Sequence, residues 1–261
     1  MSFKGSAVAA VPPLLACLGL LALWEGAARV LNINGLPPAW DALRELPQIL
    51  GDREALLNIA ASLRRMLIGF VLALLISIPL GLAMARSPRV AALCNPLLMI
   101  IYPVPKAALM PIIMLWLGIG DASKTIVIVL GVSLPVIYHS YQGARAVEEK
   151  LIWSAAAMGM RPTARLLRIV LPAALPQIFV GIRTGLVLAL ITMVTSEMIA
   201  RQAGVGSILF NALDMAQYAS VYAMIVIIGV LGFVLDSLFE RLRAKLLGWA
   251  DADHDIAVGT A

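Results

Sequence analysis

Long apolar runs separated by short charged segments dominate the chain. Six runs each hold about 20 mainly apolar residues, the length an α-helix needs to cross a bilayer. Lipid cannot satisfy backbone polar groups, so each run should be helical, and the ten-residue alternation of a membrane β-barrel is absent. The pattern predicts an all-α polytopic membrane protein, one domain over residues 1–261, with spans at 8–31, 59–85, 92–118, 124–142, 178–200 and 220–240.

The third predicted span is interrupted by several prolines: Pro96, Pro103, Pro105 and Pro111. Proline removes a backbone donor and kinks a helix, which is tolerated beside a water-filled cavity. We expect this span to be bent and close to a transport path. The alternative is a kink that serves packing alone.

The distribution of Lys and Arg predicts the orientation. The loops on the side of the N-terminus, which include residues 143–177 and the tail, carry more basic residues than the opposite loops. The positive-inside rule therefore places both termini in the cytoplasm. The first apolar run is too long for the core of a signal peptide, so we expect a retained span.

Composition supports a membrane environment. Apolar residues make up 61% of the chain and charged residues 13%, against about 25% in soluble domains. The net charge of +5 comes from residues between apolar runs, which favours lipid headgroups over nucleic acid as the partner. Two cysteines and two histidines at unrelated positions predict neither a disulfide nor a metal site.

The loop between the fourth and fifth spans carries the most specific pattern. Glu148 and Glu149 suit the start of a short helix, and Gly159 suits a left-handed C-terminal cap. Pro162 suits the first turn of a second helix, on which three arginines recur at helical spacing. We expect a helix–glycine–helix elbow at the cytoplasmic surface. A helix that simply lies on lipid is the alternative.

The spacing in this loop resembles the EAA loop of binding-protein-dependent ABC permeases, which reads Glu-Ala-Ala, three residues, Gly, nine residues, Ile, one residue, Leu-Pro. Here Gly159 is followed by nine residues and then by Ile169, with Leu171 and Pro172 after it. Ala155 stands at the second Ala of the pattern. The sequence departs from it at Trp153, in place of Glu, and at Ser154, in place of the first Ala.

Further stretches are similar to the nitrate, sulfonate and taurine branch of the same family. They are residues 24–25, 62–65, 69–70, 78–81, 103–106, Pro111, 115–120, Glu197 and 204–206. The resemblance implies the type I ABC importer permease fold in a bacterial inner membrane. It also implies a second permease copy, two cytoplasmic ATPase subunits that dock on the elbow, and a solute-binding protein. The substrate expected from the resemblance is a small anion.

This chain has no Gly-rich phosphate loop, so we expect no enzyme activity of its own and no cofactor. ATP and Mg would be bound by the partner ATPase. The residues expected to transmit ATPase motion are those of the EAA-like pattern: Trp153, Ser154, Ala155, Gly159, Ile169, Leu171 and Pro172.

Ionisable residues inside predicted spans are candidates for the transport path. Arg183 or Lys106 could offer an anion a favourable field, and Glu197 could shape the outer gate. Thr195 and Ser196 lie near Glu197 in sequence and could line a wet path. The alternatives are snorkelling of the charged groups to a span end and hydrogen bonding of the hydroxyls within the helix.

Two other classes of membrane protein have characteristic sequence features. An ion-coupled secondary transporter often shows inverted repeats and a midplane carboxylate, and an intramembrane enzyme needs a catalytic cluster within its spans. The sequence shows none of these features convincingly. The secondary transporter remains the alternative function.

Overall fold

The computed structural model describes the backbone of residues 4–258 and the side chains of residues 15–249. Every regular element within this range is helical, which confirms the all-α prediction. The α-helices are α1 Lys4–Leu31, α2 Ala39–Gly51, α3 Arg53–Arg86, α4 Pro88–Ile101, α5 Met110–Leu117, α6 Asp121–Arg145, α7 Glu149–Ala157, α8 Pro162–Arg165, α9 Leu171–Ala200, α10 Val205–Asp214 and α11 Tyr218–Val258. A 3₁₀ turn, Lys106–Leu109, precedes α5, and a π turn, Leu166–Val170, joins α8 to α9.

Helix α6 lies between α3 and α9 and packs along both. The three helices bury a shared apolar core that includes Ala73, Val132, Val136 and Ala189. Small residues let the backbones approach closely, as is common between helices in membranes. A Cβ added at Gly81 would lie 2.6 Å from the Cβ of Ser140, so α3 and α6 touch there with no room for a side chain.

The outer surface is rich in large apolar side chains. Leu75, Met99 and Phe233 are 67%, 76% and 73% exposed, whereas the polar residues Ser77 and Ser140 are fully buried. A surface of this kind is stable when the solvent is lipid and costly when it is water. The burial pattern therefore agrees with a multi-pass membrane protein.

Four described helices or helix runs are long and apolar enough to cross a membrane: α3, α6, the continuous run Pro162–Ala200, and the described part of α11, Tyr218–Trp249. The pair formed by residues 88–101 and 106–117 counts as a fifth if it is one span. The predicted first span, 8–31, lies partly outside the residues whose side chains are described. The predicted total of six spans is therefore not shown.

The third predicted span is broken. Its two halves, Pro88–Ile101 and Lys106–Leu117, meet at 86° around Pro103 and Pro105. Neither proline can donate a backbone hydrogen bond, so the helix cannot continue through the break. The predicted bend is confirmed.

Two helices went unpredicted: α2 lies in a segment of mixed polarity, and α10 is apolar but, at 10 residues, too short to be predicted as a span. α2 packs on α11, and α10 packs on α9 and α11. Asp52 separates α2 from α3 and caps α3 by accepting hydrogen bonds from the amides of Glu54 and Ala55 at 3.1 and 3.3 Å. The fifth span also differs from prediction, since its helix begins at Pro162 and absorbs the second half of the predicted loop 143–177.

The bundle has two ends, the loop end and the opposite end. At the loop end, α7 and the π turn lie beside the ends of α3 and α6, where an Nη atom of Arg86 donates to the Ala144 carbonyl at 2.9 Å. At the opposite end, residues 118–121 and 201–205 lie beside the first turns of α3.

We predict that Gly81→Leu lowers the thermal stability of the detergent-solubilised protein, because its Cβ would overlap Ser140 and the backbone of α6. Gly229→Leu is the matched control, since nothing lies within 4 Å of a Cβ at this exposed helical position in α11. Melting can be followed by size-exclusion chromatography after heating. Equal stability of the two variants would contradict the close packing of α3 on α6.

Candidate functional site

The elbow after α7 is closed by backbone geometry. The Met160 amide donates to the Ala155 carbonyl and the Gly159 amide to the Ala156 carbonyl, both at 3.0 Å. This pair of bonds is a Schellman motif, which requires a left-handed residue after the helix. Gly159 supplies it with a φ of 79°, as the sequence predicts. A β-branched residue strains this conformation, whereas asparagine adopts it more readily.

The second arm of the elbow contains a π turn. It spans Leu166–Val170 and leads directly into Pro172, which has no amide to donate to the preceding turn. Single π turns inside α-helices often mark functional sites. Ile169 and Leu171, predicted in the elbow pattern, are half-buried here, and Val170 packs in a core cluster with Ala174 and Ile178.

The elbow has a buried face and an exposed face. Ala155 is 1% exposed and faces the bundle, whereas Trp153 is 63% and Met158 77% exposed. Ser154 is exposed on the same arm, and Leu167 in the π turn is 61% exposed. Exposed aromatic and Met side chains are enriched at protein interfaces. The elbow thus presents exposed apolar side chains on one face, while its opposite face packs against the bundle.

A cavity of about 1030 Å³ runs along α6 from Gly131 to Arg145. Its other walls come from α4, the break before α5, and α9. Among the described lining residues, Lys106 and Arg145 are cationic, and none is Asp or Glu. Such a lining favours an anionic solute over a cationic one.

Two of the predicted path residues line this cavity, and both are engaged locally. Lys106 Nζ donates to the carbonyls of Ile101, Tyr102 and Val104 at 2.6, 3.0 and 2.6 Å. The Thr195 hydroxyl donates to the Ile191 carbonyl at 2.9 Å. Lys106 therefore stabilises the C-terminal end of α4 at the break.

The other predicted path residues lie away from the cavity. Ser196 and Glu197 are fully buried in the bundle, and the Ser196 hydroxyl donates to the Met193 carbonyl. Arg183, near the middle of α9, is paired with Asp236 and Glu240 at 2.8 and 2.7 Å. The structure thus separates Glu197, near the C-terminal end of α9, and Arg183, near its middle, from Lys106 and Thr195.

Glu197 belongs to a buried ion pair that sequence reasoning missed. An oxygen of Glu197 lies 2.7 Å from an Nη atom of Arg65, and both side chains are at least 96% buried. The Ser62 hydroxyl lies 2.7 and 2.8 Å from the two carboxylate oxygens. Asp121 pairs with the other Nη of Arg65 at 2.7 Å. These contacts join α3, α6 and α9 at the opposite end.

The same polar groups hold the turn between α9 and α10. Arg65 and Lys124 both donate to the Ala203 carbonyl, at 3.1 and 2.9 Å. The Gly206 amide donates to Glu197 at 3.1 Å. Gly204 has a φ of 132°, and a Cβ there would overlap the Glu197 carboxylate. The segment 203–206 is therefore a clamped turn.

Several residues of these sites were outside the sequence-based hypotheses: Arg65, Lys124, Tyr138, Gln142 and Arg145. Arg65 stood in the sequence stretch 62–65, but its pairing with Glu197 spans 132 residues, and no local spacing encodes that. Tyr138, Gln142 and Arg145 recur at i, i+4 and i+7, a detectable signal of a shared helix face. Within the described part of the chain, no group of three or more His, Cys, Asp or Glu side chains could hold a metal ion.

Comparison with known proteins assigns the chain to one family. Residues 77–248 match the family described as binding-protein-dependent transport system inner membrane component. The Taurine transport system permease protein TauC of Escherichia coli is 32% identical over 237 residues, 88% of this chain and 86% of that protein. The Putative aliphatic sulfonates transport permease protein SsuC of Bacillus subtilis is 29% identical over 89% of this chain and 85% of its own length.

The fold matches a solved structure as well. An inward-facing structure of the MetNI methionine ABC transporter superposes with a TM-score of 0.60 at 16% identity, over 70% of this chain and 91% of the matched chain. At this identity, the likeness concerns the fold alone.

We predict that Glu197→Gln destabilises the permease by about 3 kcal/mol, because buried Arg65 loses its buried carboxylate partner and keeps only the half-exposed Asp121. Arg201→Gln is the control, because it breaks the exposed pair with Asp214, which contributes about 0–1 kcal/mol. Unfolding of both variants in mixed micelles gives the comparison.

A double variant tests whether the pairing itself causes the loss. The double variant Arg65→Met, Glu197→Gln should be destabilised by less than the sum of the two single changes. Each single change leaves one charge of the pair buried, whereas the double variant removes both. Additive losses would contradict a direct interaction between the two residues.

Proposed function

Because the chain belongs to the family of binding-protein-dependent transport system inner membrane components, we propose that it forms the channel of an ATP-driven importer for a small anion. The observation that supports the choice of an anion is the cavity along α6, whose described lining includes two cations and no carboxylate. Relatives named for taurine and aliphatic sulfonates support a sulfonate. Nitrate carries the same charge and stays within the proposed class.

The proposed complex contains two copies of this chain. Met99 and Tyr102 line the cavity and are 76% and 72% exposed, so one chain leaves an apolar part of its wall uncovered. A second copy related by a two-fold axis would close the path with the same surface. The homodimer is part of the proposal.

The elbow is the proposed docking surface for the ATPase. Trp153 and Met158 protrude from it, while Ala155 and Val170 anchor it in the bundle. An exposed tryptophan beside small residues suits insertion into a groove of a partner protein. Two cytoplasmic ATPase subunits, which would bind ATP and Mg, would dock on the elbows, one on each permease. A solute-binding protein would deliver the anion at the opposite end.

The proposed orientation follows from this assignment. The elbow must face the ATPase, so the loop end faces the cytoplasm. α11 runs from the opposite end toward the loop end, which places the C-terminus in the cytoplasm. The proposal puts the N-terminus on the same side, in agreement with the distribution of Lys and Arg.

Reconstitution tests the proposed function. Proteoliposomes that contain the permease, its ATPase and its solute-binding protein should accumulate radiolabelled taurine or methanesulfonate only when ATP is present. Liposomes with the permease alone should accumulate neither. Uptake by the permease alone, driven by an ion gradient, would favour the secondary transporter. ATP-driven uptake restricted to a cation or a neutral solute would overturn the anion assignment.

We predict that Gly159→Val uncouples ATP hydrolysis from uptake, because valine disfavours the φ of 79° that closes the elbow. Gly159→Asn is the matched variant and should retain coupling, since asparagine tolerates this conformation. The ratio of solute imported to ATP hydrolysed is the measurement. Equal ratios in both variants and the wild type would contradict the role of the elbow.

Trp153→Ala should reduce copurification of the ATPase, since it removes the exposed aromatic anchor. Trp116→Ala is the control, because Trp116 is also exposed, at 78%, but lies in α5, away from the elbow. Equal ATPase recovery with both variants would place the docking surface elsewhere.

A further inference from the structure

The hydrogen-bond donors of the cavity differ in what they can still bind. A lysine ammonium carries three hydrogens, and Lys106 directs them to three backbone carbonyls within 3.0 Å. Its charge is therefore opposed by the carbonyls at the end of α4. Although Lys106 lines the cavity, it has no hydrogen left for a solute.

The threonines along α9 are engaged in the same way. The hydroxyls of Thr184, Thr192 and Thr195 each donate to the carbonyl four residues earlier, at 3.0, 2.6 and 2.9 Å. A hydroxyl has a single hydrogen, so these side chains present lone pairs to the cavity. Lone pairs repel an anion. The α9 wall is thus a poor binding surface for the proposed solute.

Three α6 residues keep N–H or O–H groups that no described residue accepts, and they share one face of that helix. Tyr138, Gln142 and Arg145 all line the cavity and follow the spacing i, i+4 and i+7. They are called the donor stripe here, and they span about 10 Å along the helix axis. Neither the Tyr138 hydroxyl nor the side-chain amide of Gln142 makes a hydrogen bond to any described residue.

Arg145 provides the charge of the donor stripe. One Nη atom donates to the Tyr141 hydroxyl at 3.0 Å, and the guanidinium carbon lies 5.8 Å from the Tyr141 ring centre. No carboxylate among the described side chains lies within ion-pair distance of it. The contact with Tyr141 orients the guanidinium and leaves its remaining N–H groups available.

We propose that the donor stripe is an anion-binding site at the loop end of the cavity and that it takes the oxyanion group of the transported solute. A guanidinium binds two oxygens of a sulfonate at once, and an amide and a phenol can donate to the third. This inference rests on the proposed function, because it assigns the solute contacts of the same path.

The position of the donor stripe suits the last stage of import. It lies within two turns of the end of α6, at the end of the bundle that carries the elbow. An anion that has passed the lone-pair surface of α9 would meet the charged group of the donor stripe here. The phosphate of a lipid headgroup offers the same chemistry as the oxyanion of the solute, so an experiment must separate lipid from solute.

A cysteine reporter tests the site in the complete transporter. In a Cys17→Ala, Cys94→Ala background, Gln142→Cys places a thiol one turn from Arg145. The reporter is treated with 2-sulfonatoethyl methanethiosulfonate, which is anionic, or with its trimethylammonium counterpart. We expect the anionic reagent to react faster, and adding Arg145→Gln should lower the ratio of the two rates by about tenfold.

Arg89→Gln is the matched control, because Arg89 is exposed near the start of α4 at the same end but does not line the cavity. It should leave the rate ratio unchanged. An equal effect of both arginine variants would show a general surface potential and would overturn the site, as would no effect of Arg145→Gln.

Protection experiments identify the source of the anion. In phosphatidylcholine liposomes, methanesulfonate should slow modification of the reporter, and Arg145→Gln should abolish this protection. Protection by phosphatidylglycerol without protection by methanesulfonate would assign the site to lipid and overturn the proposal.

Uptake separates this inference from the proposed function. With the native cysteines and Gln142 restored, Arg145→Gln should reduce ATP-driven sulfonate uptake at least tenfold, while Arg89→Gln should not. Wild-type uptake by Arg145→Gln would refute the donor stripe and leave the importer intact. Absence of ATP-driven anion uptake by the wild type would refute the proposed function, whereas the labelling ratio would still report on the site.

Discussion

The buried pair between Arg65 and Glu197 is the contact on which the arrangement of the bundle depends. Two charges held 2.7 Å apart in a membrane protein are stable only when each has further partners, and Ser62, Asp121 and the Gly206 amide provide them. The pair fixes how α3, α6 and α9 meet at the opposite end. The turn 203–206 is clamped onto the same groups, so α10 is positioned by the pair as well.

The helical run Pro162–Ala200 links this clamp to the elbow. Its first turns form one arm of the elbow, and Glu197 lies near its other end. A force on the elbow must therefore either bend the run or shift the clamped end. The π turn at Leu166–Val170 is a point where the run can bend, because its hydrogen bonding departs from the α pattern and Pro172 follows it.

The cavity shows why the presence of a charge does not define a binding site. Lys106 is cationic and lines the wall, yet its three hydrogens are directed to backbone carbonyls. Arg145 lies on the α6 wall of the same cavity, with N–H groups that no described residue uses. Backbone carbonyls at helix ends and breaks accept hydrogen bonds from side-chain donors that would be taken as free from the sequence alone. The geometry of the break before α5 therefore moves the expected anion contact from Lys106 to the donor stripe on α6.

The sequence by itself determined the all-helical membrane architecture, the break in the third span and the left-handed glycine of the elbow. These features depend on local chemistry: apolar runs of bilayer length, prolines without an amide, and a glycine at a helix end. Tertiary structure decided the partner of Glu197, the saturation of Lys106 and the shared cavity wall of Tyr138, Gln142 and Arg145. Such contacts join residues that are distant in the chain, or they depend on how each helix is rotated about its axis. The hydrophobic pattern does not specify long-range pairing or helix rotation closely enough to predict them.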